Sequence, residues 1–245
     1  MSWAAALNAR PDSAVEHRAA PAVQISVYND AGVNRRTLRL AEENAATVFR
    51  NAGIDTDWKN CPAEEIFPQG HDAQLGASET RELEFAAPSP VKPCGQAAYP
   101  SHLVLRIVSR PRGLVPEVFG VAYLSQDGQG AYCDVFVEPM QDLQKLYPVS
   151  LDSILGHVAA HEIAHLLLGP NSHSPTGLMR AHWNSRTIDD LRRGLLDFNS
   201  TESSAMANRL ASTRDTDSST AALVTMANPP PATFSPMPTQ CPNSH

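Results

Sequence analysis

Residues 150–179 read SLDSILGHVAAHEIAHLLLGPNSHSPTGLM, an apolar stretch with histidines at helical spacing. Ser150 is a residue type that caps helix N-termini. Asp152 would lie in the first turn, where the helix dipole favours a negative charge. A glycine and a proline follow Leu168 and end the apolar run. The stretch therefore predicts a buried helix that ends at Leu168.

The pair His161 and His165 indicates a metal site on this helix. Residues four apart lie on one face, one turn from each other, so both imidazoles can share one ion. Zinc binds imidazole nitrogen and prefers four ligands. Glu162 projects about 100° round the helix from His161. It would flank the metal, where a carboxylate can act as a general base.

A third ligand must come from beyond the helix. Gly169 tolerates a positive φ and permits a sharp exit, after which His173 can fold back towards the helix. A second turn ends at Met179, whose side chain would form an apolar floor beneath the ion. The predicted set is one zinc ion on His161, His165 and His173, and the fourth position stays open to water, as catalytic zinc sites require.

Other residues could complete such a site, but each is a weaker candidate ligand. His157 and His161 form a second pair, HVAAH, but it lacks the glutamate that activates water. His182 is a second candidate for the third ligand, or it is a surface residue. An acidic third ligand would have to come from a short downstream set, Asp189, Asp190 and Glu202.

The segment from His161 to Met179 resembles the metzincin clan of zinc endopeptidases, whose motif is HExxHxxGxxH followed by a Met turn. The resemblance implies a zinc-dependent endopeptidase with Glu162 as general base and then acid, and Met179 as the Met-turn residue. This chain departs from the clan pattern by one extra residue on each side of Gly169. The resemblance covers residues 22–211, by motif at 150–183 and by element order before that.

The predicted fold is α/β, or α+β by stricter naming. A mixed, twisted sheet with two helices would form an upper lobe, followed by a small irregular and helical lower lobe. Apolar runs predict strands at residues 22–28, 54–60, 102–108, 119–125 and 131–138. Periodicity predicts helices at 38–52, 150–168, 187–198 (capped by Thr187) and 200–211.

Composition divides the chain into three parts. Residues 1–21 lack a clear period and are expected to be a mobile N-terminal segment. Residues 22–211 form the predicted zinc metallopeptidase domain, with an upper lobe at 22–169 and a lower lobe at 170–211. Residues 212–245 are rich in Ser, Thr and Pro and are expected to be a disordered tail.

The four cysteines do not form a CxxC pair, so a cysteine zinc site is not expected. Cys61 and Cys94 stand beside prolines at the two ends of an irregular stretch. A disulfide between them is predicted if the protein is secreted or periplasmic. Cys133 lies in an apolar strand pattern, which predicts an inert buried thiol. The N-terminus shows no signal peptide, so the protein remains inside the cell or its start lies upstream.

Net charge and hydropathy limit the classes of partner that the chain is expected to bind. The formal net charge of −7 argues against nucleic acid and anionic membrane surfaces. No apolar run reaches the roughly 18–20 residues of a membrane span. The expected partner is a peptide or protein substrate. Two alternatives stay open: a zinc-stabilised binding protein without hydrolytic activity, and a zinc hydrolase that acts on a non-protein amide or ester.

Overall fold

The computed structural model of the chain describes residues 20–62, 94, 97–110, 118–220 and 237–238, with residues 213–220 and 237–238 described by their backbone alone. The predicted mobile segment and most of the long irregular stretch therefore lie outside the described residues. In chain order the elements are β1 (Ala22–Asn29), α1 (Arg35–Asn51), β2 (Asp55–Cys61), β3 (His102–Val108), β4 (Gly120–Leu124), β5 (Tyr132–Phe136), α2 (Val137–Leu146), α3 (Leu151–Leu168), α4 (Ser185–Arg192), α5 (Ser200–Thr220) and β6 (Met237–Pro238).

The sheet is mixed, as predicted, with strand order β2-β1-β3-β5-β4-β6. Neighbouring strands from β2 to β5 are parallel, and β4 is antiparallel to both β5 and β6. The inner strands β1 and β3 are buried almost throughout. Parallel strands covered on both faces are expected to be continuously apolar, which explains their Val, Ile and Leu content. The predicted hairpin joins β4 and β5.

Helix α3 lies at the centre of the domain. All its residues from Ile154 to Leu167 are buried, because the helix packs on α1, on β4 and on β5. A helix that is apolar on all sides is expected to be enclosed in this way. Gly156 permits the contact with α1, since a Cβ there would lie 2.5 Å from the carbonyl oxygen of Ala41. This packing places the end of α3 that bears the histidines beside the sheet.

Helix α2 was not predicted. The strand pattern at residues 131–138 was expected to continue to its end, but β5 stops at Phe136 and a helix begins at Val137. Glu138 and Pro139 fall in the first turn of α2, where an acidic residue and a proline are both favourable. The strand prediction ran two residues too far because VFVE keeps a β-like alternation.

The predicted cap of α4 was wrong. Asn184, not Thr187, is the N-cap residue, and its side chain accepts a hydrogen bond from the backbone N–H of Thr187 at 3.1 Å. Thr187 is the third helical residue and completes a capping box. The helix ends at Arg192 rather than at residue 198, and Gly194 follows with a φ of +65°.

The C-terminal part is more regular than predicted. Helix α5 begins at Ser200, as expected, but continues past residue 211 to Thr220. Within the expected disordered tail, Met237–Pro238 forms β6, which pairs with Tyr123 and Leu124 of β4. Within the described part of the chain, no helix combines the length and apolar character needed to cross a membrane.

Candidate metal centre

Three imidazoles converge at the C-terminal half of α3. The Nε2 atom of His165 lies 3.0 Å from Nε2 of His161 and 3.2 Å from Nε2 of His173. Among the described residues this is the group of side chains arranged to hold a metal ion, with its ligand atoms all within 4.8 Å of one another. The structure therefore brings together the three histidines that the sequence predicted as ligands.

The backbone after α3 explains how His173 reaches the other two. Helix α3 stops at Gly169, which has a φ of +87°, and Asn171 also has a positive φ of 57°. Positive φ values reverse the chain direction sharply, and glycine and asparagine are the residues that adopt them at least cost. The chain then returns beneath the helix, so that His173 faces His165.

The outer nitrogens of two rings are fixed by hydrogen bonds. Nδ1 of His161 lies 2.8 Å from the carbonyl oxygen of Leu178, and Nδ1 of His165 lies 2.7 Å from the hydroxyl of Ser172. A carbonyl oxygen can only accept, so Nδ1 of His161 carries the hydrogen and its Nε2 presents a lone pair. Outer hydrogen bonds of this kind orient imidazole ligands towards a metal.

The donor set fits zinc. Zinc–nitrogen distances of about 2.0–2.1 Å in a tetrahedral arrangement place ligand nitrogens about 3.3 Å apart. The observed separations of 3.0 and 3.2 Å are close to that value. Without a cation, Nε2 of His165 has a single hydrogen or a single lone pair to share between Nε2 of His161 and Nε2 of His173. A single ion satisfies all three nitrogens.

Burial keeps these imidazoles neutral. The pKa of His161 is lowered to about 4, chiefly by desolvation, and the pKa of His165 is lowered to about 2 by desolvation together with the neighbouring rings. Burial also lowers the pKa of His173, and the nearby His182 adds to that shift. Neutral imidazole is the form that binds a metal ion, so the site is ready to do so near neutral pH.

Glu162 lies next to this group without belonging to it. Its side chain is buried, and burial raises the pKa of its carboxyl to about 8, with a smaller contribution from Asp134. The carboxyl packs against the first residue of β4, because a Cβ on Gly120 would lie 2.5 Å from Cγ of Glu162. Gly120 is thus needed for the observed position of Glu162, a contact that sequence analysis did not find.

A cleft opens beside the histidines and Glu162. Its volume is about 220 Å³, and it is bounded by β4 and the two residues before it, by α3 and by the segment after Met179. The rings of Phe119 and Trp183 lie on its walls, 5.9 Å apart between centroids. The lining residues are Val118, Phe119, Gly120, Val158, His161, Glu162, Arg180, Ala181, His182 and Trp183.

The turn that ends at Met179 supports the centre through its backbone. The N–H of Ser174 donates to the carbonyl oxygen of Met179 at 2.7 Å, and the N–H of Leu178 donates to that of Asp197 at 3.0 Å. These bonds hold the Leu178 carbonyl against the ring of His161. The side chain of Met179 is fully buried in the hydrophobic core.

The alternative ligands lie elsewhere. His157 contacts the Ser153 carbonyl through Nδ1 at 2.8 Å and is outside the three-histidine group. His182 is exposed and lines the cleft. The acidic candidates have other partners: Asp189 and Asp190 form ion pairs with Arg192 and Arg193, and Glu202 accepts hydrogen bonds from Ser174 and from the N–H of Asn199.

Three cysteines lie within the described residues. Cys61 and Cys94 are joined by a disulfide across a separation of 33 residues. Cys133 is a buried free thiol, and burial raises its pKa well above the ordinary value. A thiol that stays protonated at neutral pH is a poor nucleophile and a poor metal ligand.

Two buried polar pairs were missed by the sequence analysis. Ser26 Oγ lies 2.8 Å from Nε2 of His102, a histidine that has no partner spacing in the sequence. Asp134 accepts two hydrogen bonds from Arg106, at 2.9 and 2.6 Å, and one from the hydroxyl of Tyr123 at 2.9 Å. Strand alternation puts Arg106 and Asp134 on one face of the sheet, which is the signal that could have revealed the second pair.

Comparisons with known proteins do not assign this chain to a family. No protein-family model matches the chain, and no curated protein matches it. Among solved structures it is similar to the crystal structure of a zinc-dependent peptidase from Methanocorpusculum labreanum. That match has 18% sequence identity and a TM-score of 0.45, and it covers 74% of this chain and 99% of the other. A likeness this distant carries no argument about activity.

Proposed function

We propose that this protein is a zinc-dependent endopeptidase of metzincin type, with His161, His165 and His173 as ligands of one zinc ion and Glu162 as the general base and acid. The observation that carries the proposal is the convergence of three imidazole Nε2 atoms beside a buried carboxylate at the edge of an open cleft. Each component has a distinct chemical task in amide hydrolysis.

Bound zinc would supply Lewis-acid chemistry, which polarises a carbonyl and acidifies water. Glu162 supplies the proton transfers. Its raised pKa suits a group that must accept a proton from the attacking water and then return it to the leaving amine, because a general acid–base group works best when its pKa lies near the operating pH. Gly120 leaves room for the carboxyl to stay at the cleft wall.

Strand β4, which pairs with β6 only at Tyr123 and Leu124, is the proposed binding surface for an extended peptide. An exposed strand edge binds peptides through main-chain hydrogen bonds. The pairing of β6 with Tyr123 and Leu124 supports this assignment, since it shows an extended segment seated on that edge. Gly120, at the start of the same strand, contacts Glu162, so a peptide that follows β4 would pass beside the proposed catalytic group.

The burial of Glu162 favours a hydrolase over a binding protein with a structural zinc site. Within the described residues, Glu162 has no hydrogen-bond or ion-pair partner, although its side chain is buried. Its carboxyl lines the open cleft without a protein partner in the described part of the chain, and a structural zinc site does not need a carboxyl there. Strongly shifted carboxyls in clefts are typical of catalytic groups.

The test combines metal analysis with a digest of a proteome-derived peptide library. The proposal expects about one zinc per chain, cleavage at internal bonds, loss of cleavage after chelation and recovery when zinc is restored. Zinc binding without cleavage of any peptide would favour the binding protein. A hydrolase of non-protein substrates would fail the peptide digest but cleave small amides or esters in a zinc-dependent way.

A further inference from the structure

The cleft beside the candidate metal centre has one charged side chain that the proposed mechanism does not use. Arg180 follows the Met179 turn and is partly buried. Within the described residues, Arg180 has neither a hydrogen bond nor an ion pair. By contrast, Arg106, Arg110 and Arg192 each pair with a carboxylate. Arg180 is therefore a partly buried arginine at the cleft whose guanidinium is unpaired among the described residues.

The rest of the lining does not neutralise this charge. Glu162 is the sole acidic residue among those that line the cleft, and no ion pair joins it to Arg180. The remaining walls are mainly apolar, with Phe119 and Trp183 in ring contact. An arginine beside apolar walls has fewer competing acceptors than one on open surface, so an anionic ligand gains more from it.

The geometry of guanidinium specifies the ligand. Its N–H groups form a planar fork that matches the two oxygens of a carboxylate. We propose that this cleft binds a peptide carboxylate, either of an Asp or Glu side chain or of the peptide's C-terminus, and that Arg180 is the specificity-determining residue. This inference rests on the proposed peptidase function, and it adds the substrate class.

The first experiment measures binding without turnover. Four alanine-rich octapeptides carry Glu or Gln at a central position, each with a free or an amidated C-terminus. They are titrated by calorimetry against zinc-loaded full-length Glu162→Gln protein, which retains the cleft. Peptides with a carboxylate are expected to bind about tenfold more tightly than the amidated Gln peptide, the size typical of a charged hydrogen bond that is partly exposed.

Variants of Arg180 connect this preference to the cleft. In an Arg180→Gln background the preference should disappear, and in an Arg180→Lys background part of it should remain. Arg186→Gln is the matched control, because Arg186 is an exposed arginine nearby that does not line the cleft. Melting curves establish that each variant folds, and Arg180→Lys keeps the test valid if Arg180→Gln does not.

The second experiment asks for the same preference in catalysis. In a peptide-library digest, wild type should favour an acidic residue near the cleaved bond or cleavage near a free C-terminus, and Arg180→Glu should favour Lys and Arg instead. A response to central Glu identifies side-chain recognition, and a response to C-terminal amidation identifies terminal recognition. Both outcomes support carboxylate binding.

Failure of the two proposals can be told apart. Equal binding of all four peptides, or a preference that survives Arg180→Gln in a folded protein, overturns the carboxylate cleft. Library cleavage without an acidic or C-terminal preference also overturns it while the peptidase function stands. Carboxylate binding that depends on Arg180, in a zinc-loaded wild type that cleaves no peptide, would support the cleft and overturn the peptidase.

Discussion

The contact between Gly120 and Glu162 gives a prediction with a calculable size. An alanine Cβ at position 120 would lie 2.5 Å from Cγ of Glu162 and 2.7 Å from both Cδ and Oε1. Carbon atoms in contact prefer about 3.5–4.0 Å, so the Glu162 side chain would have to move by about 1 Å. The carboxyl can move towards the cleft, which limits the loss of stability to about 1 kcal/mol, the lower end for overpacked sites.

Catalysis should suffer much more than stability. A misplacement of about 1 Å can cost about 10²-fold in rate, since proton transfer depends on the position of the base. Gly120→Ala is therefore expected to retain zinc and a near-normal melting temperature while kcat/KM for peptide cleavage falls by about 10²-fold. The assay compares kcat/KM, zinc content and thermal melting for the variant and wild type.

The control is Gly53→Ala. Gly53 has a φ of +75° and no heavy atom within 4 Å of an added Cβ. Alanine there should cost about 1–2 kcal/mol of stability through backbone strain alone, with unchanged kcat/KM. If Gly120→Ala cleaves peptides as fast as wild type, Glu162 does not need its observed position, and the assignment of Glu162 as the base is refuted.

Three further outcomes follow from the same site. His165→Ala and His173→Ala should each lose zinc on dialysis while His182→Ala keeps it, and zinc retained by His173→Ala but lost by His182→Ala would reverse the ligand assignment. Chelation should lower the melting temperature and added zinc should restore it, since a ligand of the native state stabilises that state; an unchanged melting temperature would count against a zinc site formed by the native state. Peptide mapping of natively produced protein should find Cys61 linked to Cys94, and Cys94→Ser should cost about 2–4 kcal/mol of stability; two free thiols would exclude the bridge.

Elements with strong local signals could be predicted from the sequence. The apolar run at residues 102–108 coincides with β3. For α3, the hydroxyl of Ser150 accepts a hydrogen bond from the Ser153 N–H, and the helix ends at Leu168 before a glycine with positive φ. Helix caps and continuous apolar runs depend on neighbouring residues alone, and this is why they can be read without the fold.

Elements at which two similar local sequence signals compete could not be predicted from the sequence. Asn184 and Thr187 are both residue types that cap helices. In the structure Thr187 is buried and Asn184 is exposed, so the tertiary packing makes Asn184 the N-cap of a helix that begins at Ser185. The end of β5 and the start of α2 pose the same problem, because the apolar alternation across Phe136 continues into the first turn of the helix.

In the candidate site, too, some features follow from local sequence patterns and others do not. Helical spacing gives the shared face of His161 and His165, and Gly169 suggests the return of the chain to His173. Contacts across long sequence separations are absent from any local pattern. Gly120 against Glu162, and the cleft wall that includes Arg180, arise because β4 packs beside α3 and the post-helix segment folds beneath it.

The most direct test of the account compares wild type with Glu162→Gln at equal zinc occupancy. Glutamine has nearly the same size as glutamate and can still hydrogen-bond water, but it cannot accept a proton. The account predicts an unchanged zinc content and melting temperature, with peptide cleavage lower by about 10²–10⁴-fold, the usual contribution of a general acid–base group. A Glu162→Gln protein that cleaves peptides as fast as wild type, with the same zinc content, would contradict the mechanism.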